Sequence, residues 1–202
     1  MPASSIVNPS ALDGRRERGA RNKEAVVSAL LELYSQGEIQ PPAARIAEMA
    51  GVSERSVFRY FDDMEDLAGC AIGVQWDRVR DLYESLDSSG TFAQRTTAII
   101  DHRLRLHDKV GGVMRVASLA AHKSKVVAIA VNERRQIMSK RALAQYSQEL
   151  ETAVDAPTKA LILDYTLSLE NVDYLRSSLG LSAAKTREIL TSAIKVLFDQ
   201  KL

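Results

Sequence analysis

Three observations assign this chain to the all-α class. Apolar residues recur at steps of three and four through most of its length, the repeat of a buried helix face. No segment alternates apolar and polar residues in the manner of a half-buried strand. The interruptions fall at short glycine, proline and serine clusters, the chemistry that stops helices and turns the chain. The sequence then divides into an arm over residues 1–20, a compact helical unit over 21–67 and a larger helical domain over 68–202.

The first helix is expected over about 21–36, because Val26, Ala29, Leu30, Leu33 and Tyr34 share one face and Gly37 ends it. A second helix opens at Pro41 and Pro42, where proline's missing N–H costs nothing. It turns Ile46 and Ala47 inward and stops at Ala50. Gly51 follows where a sharp turn needs positive φ, which glycine adopts cheaply. Ser53 supplies an N-cap oxygen for the third helix, in which Val57 and Phe61, four apart, face the first. Asp62 and Glu65 form a capping box for a fourth helix that runs through Leu67, Cys70, Ala71 and Val74 to about Tyr83. Gly69 and Gly73 each cost that helix about 1 kcal/mol relative to alanine. They mark close packing on the first helix or a flexible point. Further helices are expected over Phe92 to His107, Met114 to Ala121, Val126 to Leu150, Pro157 to Leu179 and Ser182 to Leu202. The breaks are Ser88-Ser89-Gly90, Gly111-Gly112, Asp155-Ala156-Pro157 and Gly180.

Composition narrows the classes. At 202 residues the chain suits one large or two small globular domains. Its one cysteine, Cys70, has no intrachain partner, no metal-type Cys or His cluster accompanies it, and a reducing cytoplasm fits. No apolar run approaches the roughly 20 residues that span a bilayer. The opening MPASSIVNPSALDG lacks the charged and apolar regions of a signal peptide and reads as a mobile leader. Net charge is only +1, so any affinity for nucleic acid must come from where the charges lie. Arg15, Arg16, Arg18, Arg21 and Lys23 cluster ahead of the first helix with Glu17 as the one acid among them. They form an arm that follows phosphates or enters a minor groove, or else a solvated basic tail.

The span from Arg45 to Leu67 has the spacing of a helix-turn-helix. With Val57 and Phe61 inward, Glu54, Arg55, Ser56, Arg59 and Tyr60 are left outward beside Ser53. Arginine can donate two bonds to guanine, and serine or tyrosine can reach phosphates or base edges, so this face suits a major groove. The same face also suits the solvated side of an ordinary helical hairpin.

The order Ile46-Ala47, Ala50-Gly51-Val52-Ser53, Ser56-Val57-Phe58-Arg59-Tyr60-Phe61 and Asp66-Leu67 resembles the DNA-binding domain of TetR-family transcriptional regulators. The resemblance is strong over the first third and continues weakly through Tyr174-Leu175-Arg176 and Leu179-Gly180-Leu181-Ser182, which are similar to the family's last two helices. It implies an all-α homodimer, usually a repressor, that leaves a pseudo-palindromic operator when a small-molecule effector enters the C-terminal domain. Phe58 stands where the family commonly has tyrosine, and Met64 where a lysine usually opens the fourth helix. Both changes remove phosphate donors, which shifts that work to Arg45, Arg59, Tyr60 or the arm.

Leu161, Tyr165, Ser168, Val172, Leu175 and Leu179 draw one stripe along a helix, with Ile162 and Leu169 on a second edge. Leu190, Ala193, Ile194 and Leu197, with Ile189 and Val196, give the last helix a wide apolar surface. Either two such helices per subunit make a four-helix dimer interface, or both edges are buried within a monomer; the resemblance favours the dimer. Polar or aromatic residues on otherwise apolar helices are the candidates for an effector pocket: Trp76, His102, Arg103, Arg115, His122, Asp164, Tyr165 and Asn171. An arginine inside it would favour an anionic effector, and Asp164 a cationic one.

Nothing points to catalysis or to a metal or cofactor. The sequence has no Gly-rich phosphate loop, no nucleophile elbow and no paired metal-binding histidines on one helix face. The rival class is a helical protein-interaction module that does not read DNA, which salt-sensitive, sequence-selective DNA binding would separate.

Overall fold

The computed structural model describes residues 9–84, 86 and 89–199, and among them there is helix and no strand. The helices are α1 (Pro9–Ser35), α2 (Ala43–Ala50), α3 (Glu54–Tyr60), α4 (Met64–Arg78), α5 (Arg80–Glu84), α6 (Phe92–Ala120), α7 (Lys125–Gln145), α8 (Ser147–Thr152), α9 (Ala156–Thr166), α10 (Leu169–Asp173) and α11 (Ala183–Leu197), with a π-helical turn over Tyr174–Ser178. Their starts are set locally. Ser53, Asp63, Thr91, Ser124, Ser168 and Ser182 each accept a backbone N–H three residues on, the bond that satisfies a helix's first orphan donors. The α4 cap is therefore Asp63, one residue later than the expected Asp62. The Asp62 N–H turns back instead to the Asp66 carboxylate.

Three apolar clusters hold the helices together. The first joins Val26, Leu30 and Leu33 of α1 to Ile46, Val57, Phe61 and Leu67, and continues into Val113, Val116, Val127 and Val131 of α6 and α7. This core crosses the expected unit boundary at residue 67, so the N-terminal helices are packed directly onto the later ones. The second gathers Ile99, Leu104, Tyr146, Leu163, Val172, Leu190, Ile194 and Phe198. Within it Tyr146 and Phe198 stack at 5.5 Å, and Phe92 meets both rings edge-on. The third, smaller cluster is Val79, Leu106, Val110, Met138 and Leu169.

Several expectations are corrected. The first helix begins by Pro9, so Arg16, Arg18, Arg21 and Lys23 ride on helix and not on an irregular arm; arginine and lysine, good helix formers, carry the helix past Gly19. Arg15 and the first eight residues lie outside the described residues or side chains. Gly111 and Gly112 do not break the chain but sit within the single 29-residue α6. A Cβ on Gly112 would stand 3.1 Å from Ser35 Cα, so this glycine lets α6 cross the end of α1. Gly69 likewise faces Val126 on α7, and not α1 as expected.

The expected helix from Pro157 to Leu179 is split. α9 ends at Thr166, Ser168 caps α10, and the Asn171 amide donates back to the Thr166 carbonyl at 2.9 Å. Arg103, buried in α6, donates from Nε to the Leu167 carbonyl (2.8 Å) and from Nη2 to the Met138 carbonyl (2.9 Å), which holds the break in place. Ser168 is thus a cap, not a stripe residue. Val172, Leu175, Leu190 and Ile194, expected at a dimer interface, are buried in the chain's own second cluster. The exposed apolar residues of this region are Leu161, Ile162, Tyr165, Tyr174, Leu179 and Val196.

Candidate nucleic-acid interface and the cavity behind it

The turn between α2 and α3 is closed as glycine chemistry allows. Gly51 adopts φ 67°, and the Val52 and Gly51 N–H groups donate to the Ala47 and Glu48 carbonyls, a Schellman closure that satisfies the end of α2. Ser53 Oγ then accepts the Ser56 N–H at 3.2 Å and lies 2.9 Å from Ser56 Oγ, so the two hydroxyls brace the start of α3. Val57 and Phe61 are buried against α1 and α2. That anchors one face of α3 and leaves the other to solvent. Ser53, Glu54, Arg55 and Arg59 are exposed, and Ser56 and Tyr60 are half-buried.

Within this group the residues differ in readiness. Arg59 donates to the Tyr60 hydroxyl at 2.8 Å and lies over its ring, and this bond is the main reason the phenol is held below its ordinary pKa. Asn22 of α1 also bonds that hydroxyl. Arg45 is engaged by Glu48 at 3.1 Å and by Glu38 at 3.9 Å, which leaves it a weaker candidate for phosphate than the sequence suggested. Arg55 makes no ion pair among the described residues. Lys23 lies 4.9 Å from the centre of the Phe61 ring, and with Asn22 it brings the basic stretch of α1 beside the end of α3. Half-exposed Phe58 completes the outer surface.

Behind this unit, α4, α6, α7 and α9 line an open cavity of about 400 Å³. Its wall follows helix periodicity: Ile72, Gln75 and Trp76 of α4, then Val131, Arg134, Arg135 and Met138 of α7. Val110, Val113, Met114 and Ala117 of α6 make it apolar, and Leu161, Asp164 and Tyr165 of α9 close one side. Four of the expected pocket residues, Trp76, Arg103, Asp164 and Tyr165, do line it. His102, Arg115 and Asn171 do not. His102 is buried beside Arg103, and burial together with the charges of Arg103, Arg105 and Arg141 drives its pKa down to about 3. Arg115 bonds Asp173, which also accepts from His107 Nε2 at 2.8 Å and Ser177 at 2.9 Å. Burial alone would raise the Asp173 pKa, but these donors outweigh it and hold the carboxylate below its usual range. Asn171 serves the α9–α10 break, and His122 is exposed at the end of α6.

The sequence did not single out Gln75, Arg134, Arg135 or Glu170, all on the wall. A double arginine reads as solvated surface, and only the rotation of α7 turns it toward the cavity. Arg135 pairs there with Glu170 at 2.7 Å, while Arg134 lies over the Trp76 ring at 5.6 Å without an ion pair among the described residues. α4 joins the two sites. Arg78 donates to Ser28 of α1 at 2.9 Å, and Gln75 to the Lys109 carbonyl of α6 at 3.0 Å.

No family model and no curated protein matches the chain. Solved structures do. A transcriptional regulator from Rhodococcus sp. Rha1 matches with a TM-score of 0.73 at 18% identity, covering 88% of this chain and 96% of that one. A protein from Mesorhizobium loti assigned to the TetR family of transcriptional regulators matches at 0.65 and 16% identity, over 90% and 97% of the two chains. The regulator FadR from Bacillus subtilis, in complex with stearoyl-CoA, matches at 0.64 and 14% identity, over 89% and 99%. The fold of this chain is that of the TetR-family regulators.

Proposed function

We propose that this chain, built on the TetR-regulator fold, is a DNA-binding transcriptional regulator that works as a homodimer and answers to a small molecule. The observation that carries the reading is α3: a helix clamped by Val57 and Phe61, capped by Ser53, and presenting Arg55 and Arg59 outward. Such a helix can enter a major groove, where arginine reads guanine and the capping hydroxyls lie near phosphate. Tyr60 and the α1 residues Arg16, Arg18, Arg21 and Lys23 supply backbone contacts alongside. Two copies related by a two-fold axis would read a pseudo-palindromic operator.

The dimer contact in this reading is narrower than the sequence stripe. Leu161 and Tyr165 of α9, 72% and 71% exposed, meet the partner together with Ala193, Val196 and the rim of Leu197 on α11. Covering these side chains supplies the apolar burial that the isolated subunit leaves unmade.

The cavity is the effector site. Its volume suits a small, mainly apolar molecule. The FadR neighbour is in complex with stearoyl-CoA, and here Arg134 and Asp164 offer one cationic and one anionic anchor outside any ion pair among the described residues. Binding there acts on DNA affinity only as far as the ligand prefers one arrangement of α4 over another, because α4 both walls the cavity and carries α1 to α3. Repression, with release on effector binding, is the mode the family resemblance implies.

The test is selection of binding sites from random-sequence DNA at fixed salt, run beside Arg59→Ala. An enriched two-fold motif, lost in the variant while the dimer stays folded, is the expected result. Absence of enrichment from a folded dimer would transfer the function to protein interaction or to an effector-requiring binder.

A further inference from the structure

We infer that Phe58 reads thymine, by packing its ring against the 5-methyl group in the major groove. This deepens the DNA-reading proposal and rests on it. In α3 the inward positions are filled by Val57 and by Phe61 at the C-cap, both buried. At about 100° per residue, Phe58 falls on the flank of the outward face whose centre holds Arg55 and Arg59. Its ring is 49% exposed and belongs to none of the three apolar clusters, so about half of it is left uncovered by the subunit.

A large apolar side chain is set here beside two cationic ones on a short helix. Charge complementarity names the partner of the face as a polyanion, and it places the ring where that polyanion is met. Phenylalanine has no donor or acceptor and cannot read the hydrogen-bond pattern of a base edge. The apolar feature that a base pair offers in the major groove is the thymine methyl group, so ring and methyl are complementary. Arg55, three residues before Phe58, lies next to it on the helix surface. A phosphate or guanine held by Arg55 therefore sets the ring over a neighbouring base pair.

The experiment uses the site selected by the full-length protein. Each thymine is replaced in turn by deoxyuridine, which lacks only the methyl group, and affinity is measured at fixed salt. One thymine per half-site should show a loss of about fourfold, the worth of one buried methylene-sized group. In Phe58→Ala that loss should vanish while replacements elsewhere in the site behave as before, the signature of a coupled pair. Phe58→Leu, which keeps apolar bulk, should retain part of it. The scan on the unsubstituted protein needs no variant to fold. A selected site with no methyl dependence, or a dependence that persists undiminished in Phe58→Ala, overturns the role of Phe58. Failure of the folded, effector-free dimer to select any sequence overturns DNA reading in that state, and the role of Phe58 with it.

Discussion

Glycine-to-alanine substitutions at two positions inside helices should act in opposite directions. Gly73 lies in α4, and a Cβ built on it meets nothing within 4 Å. Alanine there adds helix propensity and no collision, a gain of about 1 kcal/mol. Gly112 lies in α6, and its Cβ would stand 3.1 Å from Ser35 Cα and 3.2 Å from Ser35 O. Those are backbone atoms at the end of α1, not the tip of a side chain that can swing aside. The propensity gain of about 1 kcal/mol is then set against an overpacking cost of about 1–3 kcal/mol, and we expect a net loss of about 1 kcal/mol. For a chain of this size each kcal/mol is worth roughly 2–4 °C of melting temperature. Denaturant midpoints and melting temperatures at one fixed protein concentration measure the difference. If Gly112→Ala is as stabilising as Gly73→Ala, α6 does not cross α1 at this glycine, and the argument for the close approach is wrong.

His102, buried with its pKa near 3 in the folded chain, stays neutral while the unfolded chain takes up a proton below about 6.5. Its contribution to stability is present above that pH and is lost as pH falls toward 3; His102→Gln should flatten this part of the stability profile, and an unaltered slope would remove His102 as its source. Tyr146, raised to about 12 by burial, works at the other end: stability should fall between pH 10 and 12 as the unfolded chain alone ionises, and Tyr146→Phe should remove that fall at the cost of the bond to Thr96. Leu161→Asp should give a folded monomer by sedimentation, since the side chain packs on no core; a dimer that survives it is assembled elsewhere. Trp76 is the chain's one tryptophan and lines the cavity, so a ligand that releases DNA should change its fluorescence with the same concentration dependence as release. A DNA-releasing ligand that leaves Trp76 silent binds outside the cavity.

The sequence by itself determined what local chemistry determines. The helical class, the turn at Gly51, the Ser53 cap, the inward Val57 and Phe61 and the outward arginines are relations within a few residues, governed by backbone conformation, capping and side-chain spacing. The same locality explains the small miss at Asp62, where two adjacent carboxylates satisfied one rule equally well. What tertiary structure decided are relations between segments far apart in the chain. Gly111-Gly112 looked like a break because close approach to Ser35, more than seventy residues earlier, leaves no local trace. The helix predicted through Ser168 divides because Arg103 reaches the Leu167 carbonyl, and no periodicity records that bond. Leu190 and Ile194 were indistinguishable from interface residues until the rotation of α11 turned them into the core. Arg134 became a cavity residue, and Arg115 a partner of Asp173, for the same reason: a helix's pattern defines which residues share a face, and only its packing partners decide what that face meets.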